Sequence, residues 1–171
     1  MRIGRDPLAH PEELIRRVYA YCAYRLGDGA EAEDATSDAF ERALRYRSTF
    51  DPGKGAPAAW LIGIARRTVD DVVARRLPTA EELPDRSGPE RDIASGIDLA
   101  DAVARLDERS RELIALRYGA DLTARQIGEL LGLRTNTVEV ALHRALAVLR
   151  VELAPEPQRE DVRVLQPEAS P

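Results

Sequence analysis

Apolar positions recur with a helical period in five stretches of this chain, and no stretch alternates with the two-residue period of a strand, so the expected fold class is all-α. The first helix is expected from Pro11, which suits a first helical position, with Glu12 and Glu13 favoured by the helix dipole. Its apolar stripe is Ile15, Val18, Tyr19, Cys22 and Leu26, closed by Gly27. Asp28 and Glu31 predict an Asp-led capping box that opens a second helix. That helix carries Ala32, Ala35, Ala39, Phe40, Ala43 and Leu44 on its buried side and Glu33, Asp34, Asp38, Glu41 and Arg42 on a charged exposed side. After the irregular STFDPGKGAP, a third helix starts at Pro57. It is expected to bury Trp60, Leu61, Ile64, Thr68 and Val72 and to display Arg66, Arg67, Arg75 and Arg76.

The strongest local pattern is Asp121–Leu149, DLTARQIGELLGLRTNTVEVALHRALAVL, two amphipathic helices around a Gly132-centred turn. Thr123 stands three residues before Gln126, the spacing of a reciprocal capping box. Ile127, Leu130 and Leu131 form the stripe of the first helix. Gly132 suits the left-handed residue that closes it. Thr135 is expected to cap the second helix, in which Val138, Leu142, Ala145 and Leu149 face inward and Asn136, Glu139, Val140, His143 and Ala147 face outward. This is the sequence form of a helix-turn-helix that reads DNA, although a helical hairpin in a bundle carries the same cap, stripe and turn.

Between Leu77 and Ile97 the helical period stops, and Pro78, Pro84, Gly88 and Pro89 punctuate a stretch with Glu81, Glu82, Asp85, Glu90 and Asp92 against Arg86 and Arg91. A flexible linker over 78–97 is expected, separating two small helical domains at 10–77 and 98–153. The Pro- and Glu-rich tail at 154–171 is expected to be disordered, with Val162, Val164 and Leu165 suited to weak docking on a partner. A linker of this composition has little to bury, so the two domains are expected to move independently. The net charge is −5, and these two acidic segments account for the surplus. Coating of nucleic acid by bulk positive charge is thereby excluded, so DNA binding has to be local or assisted.

Cys22 is the only cysteine, which rules out an internal disulfide, and its place on an apolar stripe suits a buried thiol better than a redox sensor. His10 and His143 are the only imidazoles, and neither has a partner at metal-ligand spacing, so no metal and no cofactor are expected. No apolar run reaches the ~20 residues of a membrane span, and MRIGRDPLAH lacks the apolar core of a signal peptide. A cytoplasmic protein without membrane insertion is expected. Lys54 is the only lysine; this bias toward arginine fits GC-rich coding better than a demand for bidentate contacts.

GDGAEAEDATSDAFERAL followed by AAWLIGIARRTVDDVVARR resembles region 2 of the sigma-70 family in its extracytoplasmic-function form. LDERSRELIALRYGADLTARQIGELLGLRTNTVEVALHRAL is similar to region 4 of the same family, in the same order and with a linker between. The resemblance implies a DNA-binding subunit, not an enzyme: an alternative sigma factor that binds RNA polymerase core, directs it to promoter DNA and helps melt the start site. It implies core-polymerase binding by Glu33, Asp34, Asp38, Glu41 and Arg42, a face that otherwise reads as solvated helix surface. It implies contact with the −10 element by Tyr46, Phe50, Asp51, Lys54, Arg66 and Arg67, which supply the aromatic surface, polar edges and cations that an extruded base and its backbone need. Trp60, on the buried stripe, suits a core role.

The resemblance further implies that the second helix of the hairpin lies in the major groove of the −35 element, through Arg134, Thr135, Asn136, Thr137, Glu139, Val140, His143 and Arg144. Family members commonly carry a basic residue, a serine and an arginine after the Thr-Val pair, where this chain has Glu139, Val140 and Ala141. A carboxylate there repels the DNA backbone, yet it can accept from a cytosine amino group. An anti-sigma factor is a further candidate partner, although no motif encodes one. Two other classes stay open: a sigma-like regulator that binds DNA without initiating transcription, and a helical adaptor.

Overall fold

Helical periodicity is realised as seven α-helices among the described residues, 6–76 and 99–154, of a computed structural model. The expected linker and C-terminal tail lie outside those residues, save Ala154. The first group comprises α1 (Pro11–Leu26), α2 (Ala30–Tyr46) and α3 (Pro57–Arg76), with a single 3-10 turn, Arg47–Thr49, after α2. The alanines of α2 explain how three helices meet so closely. Ala32, Ala35, Ala39 and Ala43 are buried at three- and four-residue spacing, and their small side chains let α2 lie down on both α1 and α3. Leu61, Ile62, Ala65, Thr68 and Val69 of α3 complete that core. Leu44, placed on the inner side by the pattern, is instead exposed.

Further expectations for the first group are corrected: Trp60, Ile64 and Val72 of α3 are only half-buried, and Ile62, Ala65 and Val69 take the inner positions. The buried face of α1 is Leu14, Val18, Tyr21, Cys22, Arg25 and Leu26, whereas Ile15 is 46% exposed and Tyr19 only partly buried. A count of apolar positions passes over Tyr21 and Arg25 because their tips are polar, yet here the tips find polar partners inside the molecule. Asp28 does not cap α2, which starts at Ala30 after Gly29 with no side-chain cap. The carboxylate of Asp28 accepts instead from the Tyr19 hydroxyl, and this hydrogen bond raises the Tyr19 pKa above its ordinary value.

The second group comprises α4 (Leu99–Arg105), α5 (Glu108–Ile114), a π-helical turn (Ala115–Gly119) that continues α5, α6 (Ala124–Leu131) and α7 (Thr135–Glu152). Asp107 caps α5, accepting from the Ser110 amide at 3.0 Å, and hydrogen bonding by the Ser110 side chain and then its amide holds the carboxyl below the usual range. The Thr123 and Gln126 capping box forms as expected, with the Gln126 amide 3.2 Å from Thr123 Oγ1 and the Thr123 amide 2.9 Å from Gln126 Oε1. Gly132 closes α6 at φ 68°, ψ 31°. The N-cap of α7 is Arg134, without a side-chain cap bond, so Thr135 is the first helical residue and not the cap. Of the α6 stripe only Ile127 is fully buried, and Leu130 and Leu131 are half-buried at its edge.

In this structure the two groups are packed on each other. α1 lies against α5 and the π-helical turn, and α3 touches α6. Gly119 permits the approach: a Cβ there would stand 2.9 Å from the Tyr21 amide nitrogen and 3.0 Å from the Ala20 carbonyl oxygen. Next to it, Arg17 donates to the Ala120 carbonyl at 2.8 Å and the Asp121 carbonyl at 3.0 Å, capping the carbonyl end of the π-helical turn from the other group. Asp121 is the one non-glycine residue with positive φ, 52°, among the described residues.

Candidate polymerase and nucleic-acid surfaces

The outer face of α7 is open along its length. Val138, Leu142, Ala145 and Leu149 anchor it on the core, which turns Asn136, Glu139, Val140, His143 and Ala147 to solvent together with Arg134, Thr135, Thr137 and Arg144. Among the described residues no ion pair engages Arg134, Glu139 or Arg144. The hairpin that presents this helix depends on a residue absent from the sequence reasoning. A Cβ on Gly128 would lie 2.6 Å from the Leu133 carbonyl oxygen, and the Gly128 carbonyl accepts from the Leu133 amide at 2.9 Å. Its signal was visible in the sequence as a glycine inside a helical pattern, where packing usually supplies the reason.

The surface around the end of α2 and the start of α3 is differently placed. Phe50 meets Trp60 edge to face with ring centroids 5.6 Å apart, so Trp60 is half-buried against the core and still borders the surface. Asp51 is spent on its own turn: its carboxylate accepts from the Gly53 amide at 2.9 Å and its carbonyl from the Lys54 amide at 3.0 Å. Tyr46, Lys54 and Arg67 are exposed, but Arg66 is half-buried, its Nε 3.0 Å from Glu112 of α5. A cleft of about 420 Å3 separates Phe50, Asp51, Lys54 and Trp60 from Arg125, Gln126, Glu129 and Leu130 of α6. A neighbouring cleft of about 540 Å3 brings Tyr46, Trp60, Arg66 and Arg67 to Leu130. Of the other displayed arginines, Arg75 donates to the Asp71 carbonyl at 3.1 Å, and Arg76 pairs with Glu31 and donates to the Leu26 carbonyl.

The charged face of α2 keeps Glu33, Asp34, Asp38 and Glu41 exposed. Arg42 is drawn inward: it is half-buried and bonded to Asp71 of α3 at 2.9 Å, with Asp38 at 3.8 Å. Its positive charge is therefore largely used within the domain. Cys22 lies buried, with burial raising its thiol pKa to about 11, which agrees with an inert packing role. Among the described residues no three His, Cys, Asp or Glu side chains gather as a metal site, and no helix is long and apolar enough to cross a membrane.

Sequence reasoning also missed a polar cluster between the groups. Arg25, whose side chain is 2% exposed, pairs with Glu108 and Glu112, and its Nη1 donates to the Tyr21 hydroxyl at 3.1 Å. The Tyr21 hydroxyl donates to Glu112 at 3.2 Å. Burial raises the Tyr21 pKa far above its ordinary value, so the phenol stays protonated. No periodicity reveals such a cluster, because its members lie on α1 and α5, far apart in the chain.

Comparison with known proteins accords with this geometry. Residues 12–77 match Sigma-70 region 2 and residues 97–149 match Sigma-70, region 4. The chain is 35% identical over 168 residues to the ECF RNA polymerase sigma factor ShbA of Streptomyces griseus, covering 85% of this chain and 84% of that one. It is 34% identical over 143 residues to the ECF RNA polymerase sigma factor BldN of Streptomyces coelicolor, covering 77% of this chain but only 54% of that protein. The fold is similar to that of the sigma factor RpoE bound to the anti-sigma factor NepR from Bartonella quintana, with a TM-score of 0.64 at 19% identity, covering 84% and 94% of the two chains. It is also similar to CnrH in complex with the cytosolic domain of CnrY, with a TM-score of 0.55 at 22% identity, covering 83% and 80%. With its region 2 helices, its region 4 hairpin and relatives at this identity, the chain belongs to the sigma-70 family, as an RNA polymerase sigma factor of the extracytoplasmic-function type.

Proposed function

We propose that this chain binds RNA polymerase core through the α2 face, reads the −10 element with the α2–α3 loop and the start of α3, and reads the −35 element with α7. The polymerase performs the chemistry; this subunit supplies positioning, in the cytoplasm where polymerase and DNA meet. The observation that carries the reading is the presence of both matched regions in one chain, with the outer face of α7 left open to a duplex. On α2, Glu33, Asp34, Asp38 and Glu41 form the acidic docking surface, while Arg42 acts by holding α2 on α3.

For the −10 element, melting exposes unpaired bases whose faces stack on aromatic side chains and whose phosphates seek cations. Tyr46, Phe50 and Trp60 border such a surface, with Lys54, Arg66 and Arg67 as the cations, while Asp51 shapes the loop. For the −35 element, Arg134, Thr135 and Thr137 lie at the start of α7, where side chains and helix amides reach phosphate. Asn136, Glu139, Val140 and His143 face the base edges, and Arg144 adds a cation further along. Glu139 is assigned to a cytosine amino group. An anti-sigma factor, as NepR is for the similar RpoE, is a candidate regulator.

Promoter-dependent transcription with purified core polymerase and genomic fragments tests the whole reading. Defined start sites that vanish with Arg67→Ala and shift with α7 variants are the expected result. DNA binding without any initiation would reduce the chain to a regulator, and absence of both would leave an adaptor.

A further inference from the structure

Helix α4 carries little support of its own. It has seven residues, well short of the ~12–15 at which an isolated helix becomes even marginal in water, so its stability has to come from packing. Yet of its side chains only Ala102 and Val103 are buried, and Leu99 stays 47% exposed. An apolar groove of about 450 Å3 runs between α4 and the end of α1, along Ala23, Leu26, Leu99, Ala100, Val103 and Ala104. Arg76 and Arg111 stand beside it, and Asp28 is the one carboxylate among its lining residues. That carboxylate is occupied by the Tyr19 hydroxyl. Arg111 directs its donors to the neutral carbonyls of Val103, Ala104 and Leu106, and its carboxylate neighbour Glu108, at 3.8 Å, is shared with Arg25. A largely uncompensated positive charge therefore lies next to an uncovered apolar floor.

We propose that this groove is the docking site of the chain's own C-terminal segment, residues 155–171, seated through Val162, Val164 and Leu165 with Glu160 and Asp161 toward Arg111. The segment starts in the right place. Helix α7 touches α4, and Glu152 in its last turn accepts from Arg105, the last residue of α4, at 3.3 Å. From Ala154 to Val162 the chain reaches about 27 Å when extended. Helix α4 is about 10 Å long and, with side chains, about 10–12 Å thick, so the segment can pass round it and lie along the groove. The chemistry matches as well. Val162, Val164 and Leu165 are the large apolar residues of 155–171, they stand together, and two carboxylates precede them. Glu156, Glu160, Asp161 and Glu168 against Arg159 and Arg163 leave the segment negative, opposite in sign to Arg76 and Arg111. Because the segment is tethered, its effective concentration at the groove is of mM order, and a contact of three side chains suffices where a separate peptide would not stay. Docking covers Leu99 and Ala100 and gives the opening helix of the region 4 match a further packing partner.

The test compares the full 15N-labelled chain with the triple variant Val162→Ser, Val164→Ser, Leu165→Ser, whose changes lie outside every described helix. Amide resonances of Leu26, Leu99, Ala100 and Ala104 should shift. Hydrogen exchange of the α4 amides should quicken about tenfold, with α2, α3 and α7 unchanged, because α4 loses its cover. Glu160→Lys with Asp161→Lys should shift the same groove amides by a smaller amount, and 0.5 M salt should do likewise in the parent, since screening weakens the pairing with Arg111. A second measurement is covalent. With Ala104→Cys and Val164→Cys in one chain, oxidation by copper phenanthroline should close a disulfide about tenfold faster than with Val148→Cys and Val164→Cys, both partner positions being exposed. Shifts confined to 155–171 itself, or equal rates of disulfide closure, would overturn the proposal. So would shifts on the exposed Val148, Val151 and Leu153 face of α7, which would place the segment on its own helix. Groove amides that answer to Ile93→Ser with Ile97→Ser but not to the triple variant would likewise overturn it, giving the groove to the chain that joins α3 to α4.

Discussion

The two DNA-facing surfaces are built from similar helices but stand in opposite conditions. The α7 face is anchored from behind by Val138, Leu142, Ala145 and Leu149 and, among the described residues, is left exposed in front. The −10 surface faces a second helix across narrow clefts, and one of its cations is bonded to that other half. An open reader needs only a well-packed hairpin, which a short segment can encode by itself. A covered reader is controlled by whatever holds the cover, so its availability is a property of two segments that meet only after folding.

Two glycines separate these kinds of dependence most sharply. Gly128→Ala forces a Cβ against the Leu133 carbonyl within the hairpin and should destabilise the second group by about 1–3 kcal/mol, lowering its melting temperature and abolishing duplex −35 binding. Gly119→Ala forces a Cβ against α1, in the other half, and should leave the helix content intact while separating the halves. Thermal unfolding by circular dichroism distinguishes them. A Gly128→Ala protein that melts like its parent would show that the turn relaxes without cost.

The open face offers the next test. With Glu139 reading a cytosine, Glu139→Lys should relax one −35 position at a cost of about 1–3 kcal/mol against the preferred sequence. With Glu139 facing a phosphate, the same change should strengthen binding to every sequence and steepen the salt dependence by about one charge. Affinities for a panel of −35 variants at two salt concentrations decide between them, and a uniform gain across the panel would sink the base-reading assignment.

A smaller change is expected on the third surface. Reversing Asp34 and Asp38 to lysine should weaken core binding by about tenfold, roughly 1.4 kcal/mol, without loss of helix, since exposed charges add little to a fold. Equal core affinity in a pull-down titration would leave that face as solvated helix. The smallest effect concerns the cap of α5. Asp107→Ala should cost about 1 kcal/mol. Because its carboxyl is held below the usual range, the cap contributes fully above the unfolded pKa near 4 and is lost as pH falls through the lower folded value. Chemical denaturation at pH 7 and pH 3 should show the variant's deficit shrinking at the lower pH.

Several features were legible in the sequence because each depends on neighbours a few residues away. The capping box of Thr123 and Gln126 joins groups three positions apart, Gly132 takes a left-handed conformation that its lack of Cβ permits, and the inward and outward positions of α7 follow from helical spacing. The alanine side of α2 and the start of α3 at Pro57 follow by the same logic. Where the local rule had a competitor it failed. Asp28 had a tyrosine hydroxyl within reach and left the helix end, and Thr135 became the first residue of α7 while Arg134 took the cap position.

What only the tertiary structure decided is the meeting of the halves. Tyr21 and Arg25 are separated from Glu112 by 91 and 87 positions, and no period or motif links residues at that distance. Their polar tips argue for the surface in any count of apolar positions, and only the carboxylate brought by α5 makes burial affordable for them. Hydrophobic spacing thus determined five of the helices and most of the inward side of α2 and α7. The pairing of buried charge across α1, α3 and α5 decided how those helices stand toward one another, because Coulomb attraction and desolvation depend on distance in space and not along the chain.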